Sequence, residues 1–335
     1  MSEQFNYRSI FAPHFDNFLK LKHDRGYTSL RAKWILLEFD NFFKSMDIKE
    51  LYITKELIEQ WRNTRINDGP TTIYSKYCVW SQFCKYMCHA GYECYIPRTQ
   101  GQVAKSRFSP YIYTHKQIRD IFQASDSLDL YDRNMSTSLF VIPTIIRVLY
   151  ATGMRVSEAL SLKNKDVDFN NSCITLLKTK NGEQRLAPIT DSLQKILEQY
   201  VQNRGKLPIA NTSDPKGYFF ISPNGSFCRA GSIYCWFRKI LTKSGIPYIG
   251  NHSGPRVHDL RHTFAVHSME KLVKSGYDLY YTLPLLSTYL GHKSISSTEQ
   301  YVRLTQEVYP EILDDERKLC SYIFPKIKID CNEND

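Results

Sequence analysis

A chain of 335 residues, 42 % hydrophobic and 23 % charged, is long enough for two ordinary domains, each with its own core. Its 44 Lys and Arg against 34 Asp and Glu give a formal net charge of +10 and a pI near 9.0, which favours a polyanionic partner such as nucleic acid. No run of about 18 apolar residues argues for a membrane span, the first residues lack a basic-then-apolar secretory pattern, and nine cysteines without framework spacing read as reduced thiols of a cytoplasmic protein.

Residues 1–95 read as a helical domain. Phe15, Phe18, Leu19 and Leu21 recur at helical spacing up to Gly26. Leu30, Trp34, Leu37, Phe39 and Phe42-Phe43 follow, with Thr28 or Ser29 as N-cap. Thr54 caps a third helix through Leu57, Ile58 and Trp61. Gly69-Pro70 stops it, and Thr71-Thr72 opens a fourth through Tyr77, Trp80 and Phe83. The expectation is a four-helix bundle with an aromatic core. Arg62, Arg65, Lys76 and Lys85 are its candidate DNA-phosphate contacts, although a single surface cation is ordinarily just solvated. Cys78, Cys84, Cys88 and Cys94, with His89, offer no Cys-x-x-Cys pair, and Cys84 and Cys88 at i, i+4 read as small core residues, so no metal is expected.

Residues 96–110 are basic, polar and flanked by prolines, as an interdomain linker would be. Lys105 and Arg107 within it could track a DNA backbone. From residue 111 to 320 the pattern is mixed. Thr114 caps a helix through Ile118 and Ile121-Phe122, and an apolar helix runs from Thr137 to Tyr150, interrupted near Pro143. Gly153 ends it, and Arg155 opens the next helix, where backbone N–H groups favour anions. Two strands follow, Ser172 to Leu177 and Arg185 to Ile189, joined through Asn181-Gly182, a strong hairpin turn, with Lys180 just before it. Helices return from Ser192 to Gln202, Gly231 to Lys243, His258 to Lys274, Leu283 to Leu290 and Thr305 to Cys320. A Ser/Thr-rich turn separates His292 from Tyr301. The tail, 321–335, carries an apolar island, Tyr322-Ile323-Phe324-Pro325. The fold class is therefore mainly α with a small antiparallel β-sheet: a helical N-terminal domain followed by a mixed α/β domain.

Arg155, Lys180, His258, Arg261, His292 and Tyr301 are the residues that carry chemistry. Phosphodiester transfer needs charge stabilisation on the non-bridging oxygens, a nucleophile, and a proton for the leaving oxygen. Arg155 and Arg261 offer bidentate donors that lysine could not reproduce. His258 and Arg261, three apart, share a helix face. His292 follows a glycine and can donate a further hydrogen bond. Tyr301 is a phenol with an ordinary pKa near 10, so it needs neighbouring cations or a base. His258 is the expected base or orienting group, with His262 the competing histidine. Glu158, one turn after Arg155, and Asp259 are expected to orient rather than react. Lys178 competes with Lys180, and Tyr289 and Tyr309 with Tyr301.

Three segments resemble the tyrosine recombinases, the phage-integrase family. Ala151-Thr152-Gly153-Met154-Arg155-Val156-Ser157-Glu158-Ala159-Leu160 is similar to its first arginine box. His258-Asp259-Leu260-Arg261-His262-Thr263-Phe264-Ala265 is similar to its His-x-x-Arg box, and Leu290-Gly291-His292 followed by Tyr301 to its last histidine and nucleophile. The element holding Lys180 before Arg185-Leu186-Ala187-Pro188 matches its lysine hairpin. The resemblance covers about residues 110 to 320 and reaches the helical first hundred only in kind.

It implies a core DNA-binding domain, a catalytic domain with Lys180 as general acid, and strand cleavage and rejoining through a covalent 3′-phosphotyrosine. Neither ATP nor a metal is then required, so no cofactor is expected. It also implies double-stranded DNA as partner, a homotetramer on two DNA sites, an accessory DNA-bending or directionality factor, and a tail that docks in trans. A type IB topoisomerase or telomere resolvase would use the same residues, and a catalytically silent DNA-binding regulator is the reading from another class. His292 lies 34 residues after His258, more than in compact Xer-type members, with the extra residues around 274–280. That points to an integrase or transposon-borne recombinase acting in integration or excision of mobile DNA.

Overall fold

The structure is a computed structural model that describes residues 5–27, 30–98, 109–129, 137–177, 184–248, 254–292 and 294–309. The chain divides into two compact units, Met1–Phe108 and Ser109–Asp335. The linker expected at 96–110 includes that division, but 99–108, with Lys105 and Arg107, lie outside the described residues.

The first unit holds α1 (Ala12–Asp24), α2 (Leu30–Ser45), α3 (Lys55–Asn63) and α4 (Pro70–His89). Thr54 caps α3 by accepting a 3.1 Å hydrogen bond from the Leu57 N–H, as its spacing predicts. Thr28 and Ser29, the caps expected for α2, lie outside the described residues. Gly69-Pro70 acts differently from expectation. The helix it was expected to stop ends earlier, at Asn63, and Pro70 itself opens α4, where the missing N–H costs nothing. Phe11, Phe15, Phe39, Phe43, Trp61, Trp80 and Phe83 are fully buried together, and Phe39 stacks on Trp80 with centroids 3.8 Å apart. Cys84 lies in this core, while Cys88 is exposed and donates to the Cys94 carbonyl at 3.3 Å.

The second unit opens with α5 (His115–Asp126), closed by a reciprocal capping box between Thr114 and Gln117. A short 3₁₀ turn leads into α6 (Ile142–Thr152), so Pro143 begins a helix rather than interrupting one. Gly153 ends α6 at φ 59°, and a Cβ there would lie 2.4 Å from the Phe264 ring. Both facts exclude a side chain at that turn. Next come α7 (Val156–Ser161) and an antiparallel sheet, β1 (Val167–Asp168), β2 (Cys173–Leu176) and β3 (Arg185–Pro188), in that order, with Leu176 opposite Arg185. Residues 178–183, with Lys178, Lys180 and the Asn181-Gly182 turn, lie outside the described residues.

After α8 (Asp191–Gly205) and α9 (Ala230–Lys243), α10 (Asp259–Lys274) packs against α6, α11 (Leu279–Leu290) and α12 (Ser296–Val308). The residues around 274–280 are the α10–α11 turn, closed by Asp278, whose carboxylate accepts from the Tyr281 N–H at 2.9 Å.

One element differs in kind. The expected Ser/Thr-rich turn before Tyr301 is the first turn of α12. Thr298, Tyr301, Val302, Leu304 and Thr305 are buried on it, four of them spaced i, i+3, i+4, i+7. Of the helix expected from Thr305 to Cys320, only the start lies within the described residues, as the end of α12; residues 310–335, including the tail, lie outside them.

Candidate active site

The α10 N-terminus, the two glycine-terminated helix ends before it and after it, and α12 meet in one buried pocket of the second unit. Arg261 is 2 % exposed. Its guanidinium donates to the carbonyl of Gly153 at 2.7 Å and to that of Leu290 at 2.7 Å. Both acceptors sit at helix C-termini, where carbonyls lack intrahelical partners and carry the negative end of the dipole. The glycines therefore position the arginine: each helix end stops where Arg261 can take its last carbonyls. Gly291, at φ 65°, turns the chain so that His292 Nε2 lies 3.2 Å from the same guanidinium. His292 Nδ1 is held 2.8 Å from the hydroxyl of buried Thr298.

Arg155 is the N-cap of α7. Glu158, 2 % exposed, accepts from the Arg155 backbone N–H at 2.9 Å and from its guanidinium at 2.7 Å. The second Glu158 oxygen also accepts from Arg185 at 2.9 Å, and Arg185 donates onward to the Tyr289 carbonyl at 2.8 Å. Glu158 therefore orients two arginines, from two elements; burial raises its pKa, but the Arg155 backbone N–H, then the Arg185 and Arg155 guanidiniums, hold its carboxyl below the usual range. Asp259, 1 % exposed, accepts from the Arg256 backbone N–H at 2.8 Å and braces the chain as it enters α10. Burial pushes its carboxyl up, against the pull of Arg256.

Tyr301 is 1 % exposed, and its hydroxyl lies 2.9 Å from His262 Nδ1. Burial raises the phenol's pKa, while Arg261 and Arg155 pull it down. Three histidines share this field. Burial first, then the surrounding cations, push His258 down to about 4, His262 to about 3 and His292 to about 4. All three are neutral near pH 7, and the arginines supply the charge. Arg155, Arg185 and Arg261 face the single carboxylate of Glu158, so the pocket carries an excess of buried positive charge. Such a surplus suits an anion that donates no proton and has several acceptor oxygens, as a phosphodiester does.

Arg155, Glu158, His258, Arg261, His292 and Tyr301 are thus brought together, with Asp259 behind them. Tyr289 stacks on Phe264 at 5.4 Å with the Arg185 guanidinium 5.8 Å from its ring centroid, and burial raises its phenol's pKa against the pull of Arg185 and Arg261; Tyr309 follows α12 near the His115 and His267 rings. Two residues in the pocket were not singled out from sequence. Arg185 served only to mark the strand; a charged residue opening an otherwise apolar strand was the available signal. His262 was set beside His258 as a competitor, and its adjacency to Arg261 was the signal.

In the first unit, Lys85 is exposed and Arg62 half-buried. Lys76 departs from the expectation of a phosphate contact. It is 8 % exposed, and its ammonium sits 2.6 Å from both Glu38 and Asp68. Arg65 lies 3.6 Å from the same Glu38. A buried lysine with two carboxylates is committed to structure. Lys85 instead lines a groove of about 750 Å³ with Lys22, Arg25, Tyr27, Tyr86 and His89.

For metals, the donor atoms of His115, His267 and Glu270 lie within 4.8 Å of one another. Glu270 is already paired with His115 at 2.9 Å and Lys274 at 2.6 Å, and the two imidazoles stack at 3.9 Å. Stacked rings keep their nitrogen lone pairs in two near-parallel planes, which disfavours both meeting at one ion.

Residues 112–307 match the phage integrase family. Over 306 residues the chain is 26 % identical to y4rB of Sinorhizobium fredii, spanning 91 % of this chain and 96 % of that one. It is 30 % identical over 204 residues to the tyrosine recombinase XerC of Bacillus licheniformis, across 60 % of this chain and 59 % of that one. The XerH site-specific recombinase bound to palindromic difH substrate superposes with a TM-score of 0.60 at 20 % identity, over 87 % of this chain and 78 % of that one. The Tn1549 transposon integrase in complex with circular intermediate DNA superposes with a TM-score of 0.58 at 18 % identity, over 86 % and 94 %. At those identities the structural likeness is one of fold. Fold and sequence together define a site-specific DNA recombinase of the tyrosine class. Within that class, the chain belongs to the phage integrase family.

Proposed function

We propose that Tyr301 is the nucleophile of DNA strand cleavage, with Arg155 and Arg261 holding the scissile phosphate. The supporting observation is the placement of a buried phenol in a pocket where three arginines face one carboxylate. Tyr301 Oη attacks phosphorus and the bond to the 5′-oxygen breaks, leaving a 3′-phosphotyrosine. The departing 5′-oxygen takes a proton from Lys180, which the sequence places between β2 and β3. Rejoining is the same step reversed by the 5′-hydroxyl of the partner strand, so bond energy is kept and no ATP or metal ion is consumed. His292 adds a hydrogen bond to the phosphate, and His258 orients it from the N-cap of α10. Arg185 and Glu158 fix Arg155.

Affinity comes from phosphate contacts spread over both units. In the first, Arg62, Lys85 and the groove cations Lys22 and Arg25 are the contacts, and Lys105 and Arg107 contribute from the linker. Each unit contacts the duplex, four copies assemble on two sites, and the tail docks on a neighbouring copy. The reaction serves integration and excision of mobile DNA in the cytoplasm, with an accessory bending or directionality factor. A suicide substrate, nicked so that the short fragment carrying the freed 5′-hydroxyl diffuses away, tests the chemistry. Wild type accumulates a covalent protein–DNA adduct, and Tyr301→Phe forms none. An adduct in that variant would assign the nucleophile elsewhere.

A further inference from the structure

We propose that His262, rather than His258, receives the phenolic proton as Tyr301 attacks. The proposal rests on Tyr301 being the nucleophile. A phenol that bonds to phosphorus must lose its proton, and burial at 1 % exposure keeps bulk water from taking it. The acceptor must touch the hydroxyl. His262 Nδ1 is 2.9 Å from Tyr301 Oη, within direct transfer distance. Arg261 and Arg155 also act on the phenol, but guanidiniums only donate. His258 meets the His262 ring edge-on, with centroids 5.0 Å apart, and among the described residues it makes no hydrogen bond or ring contact with Tyr301.

The helix explains this division of labour. Successive α10 residues point about 100° apart, so Arg261 reaches Gly153 and Leu290 while His262 faces α12. With Nδ1 accepting, Nε2 carries the ring's own proton, the neutral tautomer a base requires. In the DNA-free pocket this base is weak, because burial first, then the neighbouring His258 ring and the guanidiniums of Arg261 and Arg256, disfavour its protonated form. A scissile phosphate brings the missing negative charge into that field. It strengthens His262 as a base when substrate is bound and holds the phenol protonated otherwise. In the step, the Oη–P bond forms, the P–O5′ bond breaks, the phenolic proton moves to His262 Nδ1, and O5′ takes its proton from the general acid. Religation returns the proton from His262 to Tyr301.

The test is single-turnover cleavage of the suicide substrate by the full chain, from pH 5.5 to 9 for wild type, His262→Ala and His262→Gln. Glutamine can accept the phenol's hydrogen bond but cannot take its proton. Wild type should show an acid limb of unit slope. His262→Ala should cleave about 10²–10³-fold more slowly and lose that limb, and His262→Gln should be equally slow. Added imidazole should restore the His262→Ala rate at least tenfold, on the order expected for replacing a positioned base, and more basic imidazoles should restore it further. Both variants should bind the uncleaved site like wild type, which separates the effect from misfolding. A His262→Ala rate within about threefold of wild type, below the range of acid–base catalysis, overturns the proposal. Recovery of the full rate by His262→Gln does so too, since a hydrogen bond alone would then suffice. Tyr301→Phe run in parallel separates the two claims. An adduct in that variant overturns both; its loss, with His262→Ala unimpaired, overturns only the proton transfer.

Discussion

Two buried clusters of charge, one in each unit, answer opposite purposes. In the first unit Lys76 and Arg65 face Glu38 and Asp68, and each charge has its counter-charge within the chain. In the second, Arg155, Arg185 and Arg261 face Glu158 alone, and the three nearby histidines are pushed to their neutral forms. The first cluster is closed. The second is short of an anion, and burial together with the surplus of arginine charge keeps the histidines neutral. Burial alone does not mark a functional charge; an uncompensated buried charge does.

The largest expected effect breaks the counter-charge of the open cluster. Glu158→Ala leaves two arginines without their acceptor in a buried pocket and should cost about 3–5 kcal/mol, the range for removing one partner of a buried pair. Sulfate or phosphate should raise the melting temperature of this variant more than that of wild type, because the anion supplies what Glu158 did. A loss under about 1 kcal/mol, the value of an ordinary exposed pair, would mean the arginines are not held by that carboxylate. The matching change in the closed cluster is Lys76→Met. Glu38 and Asp68 keep some water, so the expected loss is smaller, about 1–3 kcal/mol. Sulfate should bring no differential recovery there, and an equal recovery would erase the contrast between the clusters.

The histidines sharpen the comparison through pH. Their native pKa values of about 4, 3 and 4 lie below the ordinary 6.5, so the unfolded chain binds protons first as pH falls. Their contribution to stability is therefore complete above about pH 6.5 and is lost progressively toward pH 4, which denaturant melts across that window would record. Binding a phosphodiester should reverse part of the shift, so DNA binding at pH 6 should take up protons. Calorimetry in two buffers of different ionisation enthalpy measures the uptake, and proton release would contradict the sign. The smallest effects belong to single surface cations. Arg62→Ala or Lys85→Ala should each lower the salt slope of DNA affinity by about one, whereas Lys76→Met should leave it unchanged.

Much of the site was legible in the sequence because its boxes are local. Arg155 and Glu158, and His258 and Arg261, are each three residues apart and need only a helix to meet. What was not legible depends on contacts distant in sequence. Lys76 reads as a surface cation until Glu38, in another helix, is placed beside it. Arg185 reads as a strand residue until β3 brings it to Glu158 and Tyr289. The helix carrying Tyr301 was read as a turn because two of its five buried positions are threonines, Thr298 and Thr305, which carry no apolar signal though both are fully buried. His262 was legible as a residue but not as a contact, because its partner lies on that misread helix.

Mapping the tyrosine joined to DNA tests the account most directly. After trapping with the suicide substrate, trypsin should release the peptide from Ser294 to Arg303, which contains Tyr301 as its single tyrosine. Tyr289 would emerge in the peptide ending at Lys293, and Tyr309 in the one beginning at Leu304. The account predicts the nucleotide remnant on Ser294–Arg303 alone. A remnant on either neighbouring peptide, or a trapped adduct with that peptide unmodified, would contradict it.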